Sequence, residues 1–183
     1  MTLSEIRAQA IEPALLLLPA RMESAEAVVM LLAIGLQESR FEHRRQLITI
    51  IQEGEKVIVP EGPAKSFRQA EQGGGMVAGL LRYHDAKVRD VVHGLCAVRG
   101  VAPAARDVWD AIEHDDVLAA GLARLLLFTD PAKLPGLVDE EGAWQLYLRT
   151  WRPGAHSRGD AAAKASLRQK WAKNYGKALE AVQ

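Results

Sequence analysis

A single cysteine, Cys96, stands among 183 residues. No disulfide can close within the chain, and no cluster of thiolates is there to hold zinc. Cys96 lies in the apolar stretch 91–98 and reads as a small core residue. An excess of either charge is also missing, since 23 basic side chains face 23 acidic ones. Nucleic-acid binders usually carry a basic surplus, so nucleic acid is not an expected partner, although Arg40, His43, Arg44 and Arg45 form a local basic patch. Balanced charge also provides no long-range attraction to an anionic surface. Long apolar runs are absent as well. The runs 14–18 and 28–36 are too short to span a bilayer. The start, 1–9, is polar and mixed in charge, not basic and then apolar, so neither a membrane span nor a signal peptide is expected. Synthesis in the cytoplasm as a soluble chain is the expectation.

Several chemistries lack their residues. None of the five histidines, His43, His84, His93, His114 and His156, pairs with another at i, i+4 across a glutamate, so no zincin site is present. The run His114-Asp115-Asp116 is better explained by a helix cap than by a cation. There is no Gly-x-Ser-x-Gly elbow. Gly73-Gly74-Gly75 is not followed by Gly-Lys-Ser/Thr and is no phosphate loop. No metal or cofactor is implied, and no internal repeat is visible.

What remains is an ordinary globular composition, 49% hydrophobic and 25% charged, long enough for one domain over 1–183 with its own core. Helical patterning dominates. The spacing predicts a helix over 2–18, capped by Ser4 and disturbed at Pro13, where it kinks or where two short helices meet. Ser24–Ser39 is the clearest helix. Ser24 caps it, and Val28, Val29, Leu31, Leu32, Ile34 and Leu36 go nearly all round it, the pattern of a buried helix. Two β-branched runs, 47–51 and 56–59, flank Gln52-Glu53-Gly54-Glu55 and predict a hairpin lobe over about 46–60. Such a hairpin is too small to stand alone and is expected to pack on the helices and form a cleft with them. Helices follow over 76–83, 87–99, 104–114, 116–128, 140–151 and 161–182, with a loop at 156–160. The expected class is mainly α: about seven or eight helices with one small β-hairpin after the second or third.

Glu38 is the outstanding side chain. It closes a helix whose body is apolar, so its carboxyl is expected half-buried at a cleft wall. An apolar setting disfavours the charged form and raises a carboxyl pKa, as a general acid near neutral pH requires. Local sequence alone also fits a solvated surface charge or a partner for Arg40, Arg44 or Arg45.

The run Ala33-Ile34-Gly35-Leu36-Gln37-Glu38-Ser39-Arg40-Phe41 resembles the catalytic motif of soluble lytic transglycosylases and goose-type lysozymes, within the lysozyme-like superfamily. That motif is an apolar helix ending in Glu-Ser with an aromatic close behind. Ser66-Phe67-Arg68-Gln69 is similar to the family's second motif, with Ser in place of Gly and Arg in place of an apolar residue. Trp171-Ala172-Lys173-Asn174-Tyr175-Gly176 loosely echoes the third, with Asn and Tyr in reversed order. The stretches 62–75 and 151–154 also resemble lysozyme-like proteins of tailed bacteriophages and prophages.

The resemblance implies a lysozyme-like helical domain that cleaves the MurNAc–GlcNAc β-1,4 bond of peptidoglycan glycan strands at the cell wall, as a virion component or after lysis. Glu38 would be the acid, and in a lyase the subsequent base that lets the muramyl 6-hydroxyl attack its own anomeric carbon. A hydrolase usually adds a second carboxylate; Glu53, Glu55, Glu61 and Glu71 are the candidates, with Glu71 favoured because it follows Gln69 at strand spacing. Ser39, Gln69, Glu71, Tyr147 and Tyr175 are the expected substrate contacts. Arg68 could bind an anionic group, and Trp109, Trp144, Trp151 and Trp171 are assigned to packing. The competing expectation is an inactive lysozyme-like phage structural or interaction protein.

Overall fold

A computed structural model describes residues 1–183 apart from the side chain of Ala155. Its elements are mainly helical, with a small antiparallel hairpin. The chain opens on α1 (Leu3–Ile6), which continues through a π-helical segment (Arg7–Ile11) into α2 (Glu12–Leu16). Thr2, not Ser4, caps it: the Thr2 hydroxyl accepts from the Glu5 N–H at 3.2 Å and the Glu5 carboxylate accepts from the Thr2 N–H at 2.7 Å. Two short α-helices do meet through the π segment, and Pro13 falls in the first turn of the second, with helical backbone running on through it. A proline has no N–H to donate, and the wide π turn just ahead of it absorbs the mismatch.

α3 (Ala25–Glu38) begins where Ser24 accepts from the Ala27 N–H at 3.2 Å. It is buried from Ala27 to Gln37, as its all-round apolar pattern predicts, and it packs against the π segment and against two later helices, 116–128 and 161–180. α6 (Asp116–Phe128), capped by Asp115, is buried from Leu118 to Leu125 and at Leu127, and packs on α2, α3, α4 (Ala86–Val98) and α7 (Glu140–Trp151). α5 (Ala105–Ala111), the short α8 (Gly154–Ser157) and the long α9 (Ala161–Glu180) complete the helices. α8 occupies part of the expected loop at 156–160.

β1 (Ile48–Gln52) and β2 (Glu55–Val59) form the hairpin, in register Ile48↔Val59 through Gln52↔Glu55. The connection shortens to Glu53-Gly54, both at positive φ (52° and 88°), the geometry of a two-residue primed turn. The hairpin half-buries one face, Ile48, Ile50, Val57 and Val59, while Ile51 and Ile58 on the other stay 66% and 67% exposed. Neither strand lines the cleft, so this lobe is not the cleft wall the sequence led us to expect. A second ladder supplies that wall: β3 (Ala64–Lys65) pairs with β4 (Ala70–Glu71). The turn between them is buried except at half-buried Gln69. The 76–83 helix becomes a π-helical segment (Gly75–Gly79) followed by a short turn. Among the described residues, no helix is long and apolar enough to cross a membrane.

Candidate active site

α3 ends abruptly. Arg40 and Phe41 take left-handed backbone conformations (φ 56° and 59°), which cost an L-residue about 1–2 kcal/mol each. The reversal folds Phe41 back beneath the helix. A Cβ at position 35 would stand 2.1 Å from the Phe41 ring, so only Gly35 leaves room for it. Phe41 is buried and meets Phe67 edge to face at 5.4 Å. Ser39 binds the two segments together: its hydroxyl donates to the Phe67 carbonyl at 2.7 Å and accepts from the Phe41 N–H at 3.1 Å. Ser39 borders the cleft, but its hydroxyl is committed to backbone and is not offered to a ligand.

This packing leaves Glu38 half-buried at the edge of a cleft of about 780 Å³. Its neighbours come from helices distant in sequence. The Tyr147 hydroxyl, from α7, donates to Glu38 Oε1 at 2.7 Å. Lys170, from α9, borders the same cleft and donates to the Gln37 carbonyl. Asn174 donates to Gln37 Oε1 at 2.9 Å, fixing the residue beside the acid. Burial is the largest influence on Glu38 and raises its pKa; the Tyr147 hydrogen bond and the Lys170 charge act against it. Burial together with the neighbouring carboxylate keeps the Tyr147 phenol protonated. It therefore serves as a neutral donor. Burial lowers the pKa of Lys170, and the Glu38 charge works in the opposite direction.

Of the expected contacts, Gln69 and Glu71 do line the cleft with Glu38 and Ser39. Gln69 is held in a left-handed turn (φ 52°), and its amide donates to the Ser66 carbonyl at 3.0 Å. Ser66 adopts φ 64°, a conformation that glycine takes without strain. Tyr147 is buried and touches the acid, so a direct sugar contact is not open to it. Tyr175 is not at the cleft at all. It packs beside Trp171 at 6.1 Å and donates to the Leu137 carbonyl at 3.2 Å. Arg68 does not reach the cleft either. It is fully buried, and burial lowers its pKa to about 10. Trp151, assigned to packing, borders the cleft while donating to the Arg68 carbonyl at 3.2 Å. Trp144 and Trp171 are buried as expected, with Trp171 stacked on Tyr147 at 4.7 Å. Glu53, Glu55 and Glu61 lie outside the cleft wall, whereas Glu42, not singled out from sequence, lies in it with Glu71.

Sequence reasoning also missed Lys170, Arg152 and Arg158, all bordering the cleft. The one signal for Lys170 is its place beside Trp171 on α9. Among the described residues, no group of three or more His, Cys, Asp or Glu side chains converges as a metal site. No family model, curated protein or solved structure matches the chain.

Proposed function

We propose that the chain is a lysozyme-like enzyme that cleaves peptidoglycan glycan strands, with Glu38 as its general acid. The observation that carries this reading is a carboxyl at the end of a buried helix, facing a strand-sized cleft. Its pKa is raised by burial, and among the described residues its one hydrogen-bond partner is a phenol. Such a group holds its proton further toward neutral pH than a solvated glutamate and can deliver it to a glycosidic oxygen. The remaining carboxylate accepts from Tyr147 and feels the charge of Lys170, both of which stabilise it. It is then poised to take a proton from the attacking hydroxyl. If the attacker is the muramyl 6-hydroxyl, one carboxylate suffices and the product is a 1,6-anhydro sugar. If it is water, Glu42 or Glu71 is available on the same wall. The sequence motif around Glu38 and Ser39 supports the same reading, and the stretches 62–75 and 151–154 favour a phage or prophage setting.

The test is release of soluble muropeptides from purified peptidoglycan by wild type and by Glu38→Gln, read by mass spectrometry. Wild type is expected to release them, and loss of the acid to cost about a thousandfold in rate. A product lighter by one water marks the lyase. Equal release by both proteins removes Glu38 from its role, and release by neither favours an inactive scaffold.

A further inference from the structure

The two outer edges of the β1–β2 hairpin differ in character. The turn is two residues long, so Gln52 and Glu55 form a hydrogen-bonded pair, and such pairs alternate along the ladder. Ile48, Ile50 and Gln52 therefore turn their N–H and C=O groups toward β2, and Thr49 and Ile51 turn theirs outward. The inward pairing runs on to Gln46, whose N–H donates to the Ala64 carbonyl at 2.8 Å and whose carbonyl accepts from the Gly62 N–H at 2.9 Å. Among the described residues, no backbone group outside the hairpin reaches Thr49 or Ile51. On β2 the outward groups belong to Lys56 and Ile58, and Pro60, next in the series, has no N–H. Lysine and proline keep a sheet edge from pairing. β1 has neither. The run 47–52 carries no charge, no proline and no glycine and is rich in β-branched side chains, the composition of a strand that pairs with its own copy.

Charge supplies an independent observation. Arg45 stands on the chain that leads into β1, and Glu53 and Glu55 flank the turn that leads out of it. Among the described residues, none of the three makes an ion pair. Antiparallel pairing of two β1 strands sets the exit of each beside the entry of the other, so each acidic turn comes alongside the Arg45 of the other copy. The register centred on Ile50 overlaps all five strand residues. In it Thr49 exchanges both backbone bonds with Ile51 of the second copy, and Ile51 does the same with Thr49. The two Ile50 Cα atoms then lie about 4.5 Å apart on the two-fold axis. Neither strand packs extensively on a helix, so the hairpin projects and the outer edge of β1 is accessible.

We propose that two copies of the chain join edge to edge through β1, forming one four-stranded antiparallel sheet in the order β2–β1–β1–β2. Contact along five residues keeps the interface below about 1,200 Å² in total, the range of weak and transient pairs. Assembly stops at two, because both outer edges of the joined sheet are then β2, with Lys56 and Pro60. Gln46 and Leu47, at the entry to β1, also border the cleft, so the pair sets two clefts about one axis. The proposal is independent of what the cleft binds or cuts.

The experiment is sedimentation velocity on the full chain over about 5–500 µM. The wild-type coefficient is expected to rise about 1.5-fold toward that of a dimer, with half-association near about 100 µM. Thr49→Pro removes one outward donor from each copy and should weaken the dimer at least about tenfold. Ile58→Pro makes the same change on the β2 edge and should leave association unchanged. Circular dichroism checks that both variants fold. Two cysteine variants test the register without proline. Ile50→Cys should form a disulfide-linked dimer on mild oxidation, because the paired Cα atoms lie within bridging distance, whereas the two copies of position 49 are more than about 7 Å apart and Thr49→Cys should link more slowly. Cys96 is buried and stays out of the reaction. A wild-type chain that is monomeric throughout would leave the edge to a foreign strand and overturn the proposal. So would growth beyond two copies, full association of a folded Thr49→Pro, or faster linking at position 49 than at 50. Cleavage is not a readout here, so a protein that pairs but cuts nothing sinks the proposed reaction and leaves the dimer standing.

Discussion

Lys65 and Glu38 both press a titratable group against the interior, and their surroundings differ in kind. Lys65 is buried on β3, where its ammonium lies 2.8 Å from Asp110, 2.9 Å from Glu113 and 3.7 Å from the centre of the Trp109 ring. Hydrogen bonds from Lys65 hold both acids below the usual carboxylate range. Glu38 receives a hydrogen bond from a neutral phenol and only the field of Lys170, and burial outweighs both. One site neutralises its charge with a full set of partners and locks β3 to α5. The other gives its carboxylate one neutral donor and, among the described residues, no ion pair, so that burial prevails. The difference is the one expected between a structural charge and the acid proposed above.

Lys65→Met should break the first site and leave the second alone. It retains the stem volume but strands Glu113 and uncovers the Trp109 face, with an expected fall in Tm of about 5 °C by calorimetry. The pH dependence follows from the lowered acids. Their contribution is present above their unfolded values and is lost as pH falls through the lower folded ones. The Met variant should therefore lose less further stability than wild type below about pH 4. A variant as stable as wild type would mean that the cluster holds nothing in place.

Tyr147→Phe acts on the second site. The hydroxyl favours the Glu38 carboxylate, so its removal raises the Glu38 pKa further. The alkaline limb of the pH–rate profile should shift upward, and kcat should fall by about tenfold, because the deprotonated form loses its donor. A shift toward lower pH would contradict the geometry.

The first site and much of the second differ in how far the sequence revealed them. α3 was legible because it is apolar on every side and Ser24 marks its start, and the half-buried position of Glu38 was legible from the end of that helix, whereas its reading as an acid came from the resemblance. The β1–β2 hairpin was legible from its β-branched runs and Gly54, but not its place outside the cleft wall, because periodicity does not say which surface a strand face meets. Tyr147 and Tyr175 were indistinguishable as phenols. Which of them meets Glu38 depends on how α7 and α9 pack against α3, a contact spanning 109 positions. The cations bordering the cleft were hidden for the same reason. They come from residues 40–45 and 152–170, which only the tertiary fold brings together, and a net charge of zero conceals their segregation. Arg68 misled because its residue type suggested a ligand contact, while the turn between β3 and β4 turns it inward.

The smallest effect sharpens the contrast most, because its sign is opposite at the two sites. A carboxyl whose folded pKa lies above its unfolded value binds its proton more tightly when folded. The stability associated with that proton is present at low pH and is lost as pH rises through the unfolded value toward the folded one. At neutral pH the partly desolvated Glu38 therefore burdens the fold, which is the direction expected of an acid kept for chemistry. Glu38→Gln preserves the shape and still offers an oxygen to the Tyr147 hydroxyl, but carries no charge. Its Tm should exceed that of wild type by about 2 °C at pH 7, and the difference should vanish near pH 4. Matched melting curves across that range decide the point: a Gln variant less stable than wild type at pH 7 would show that the Glu38 charge is held by partners as good as those of Lys65, and it would no longer stand apart as an acid.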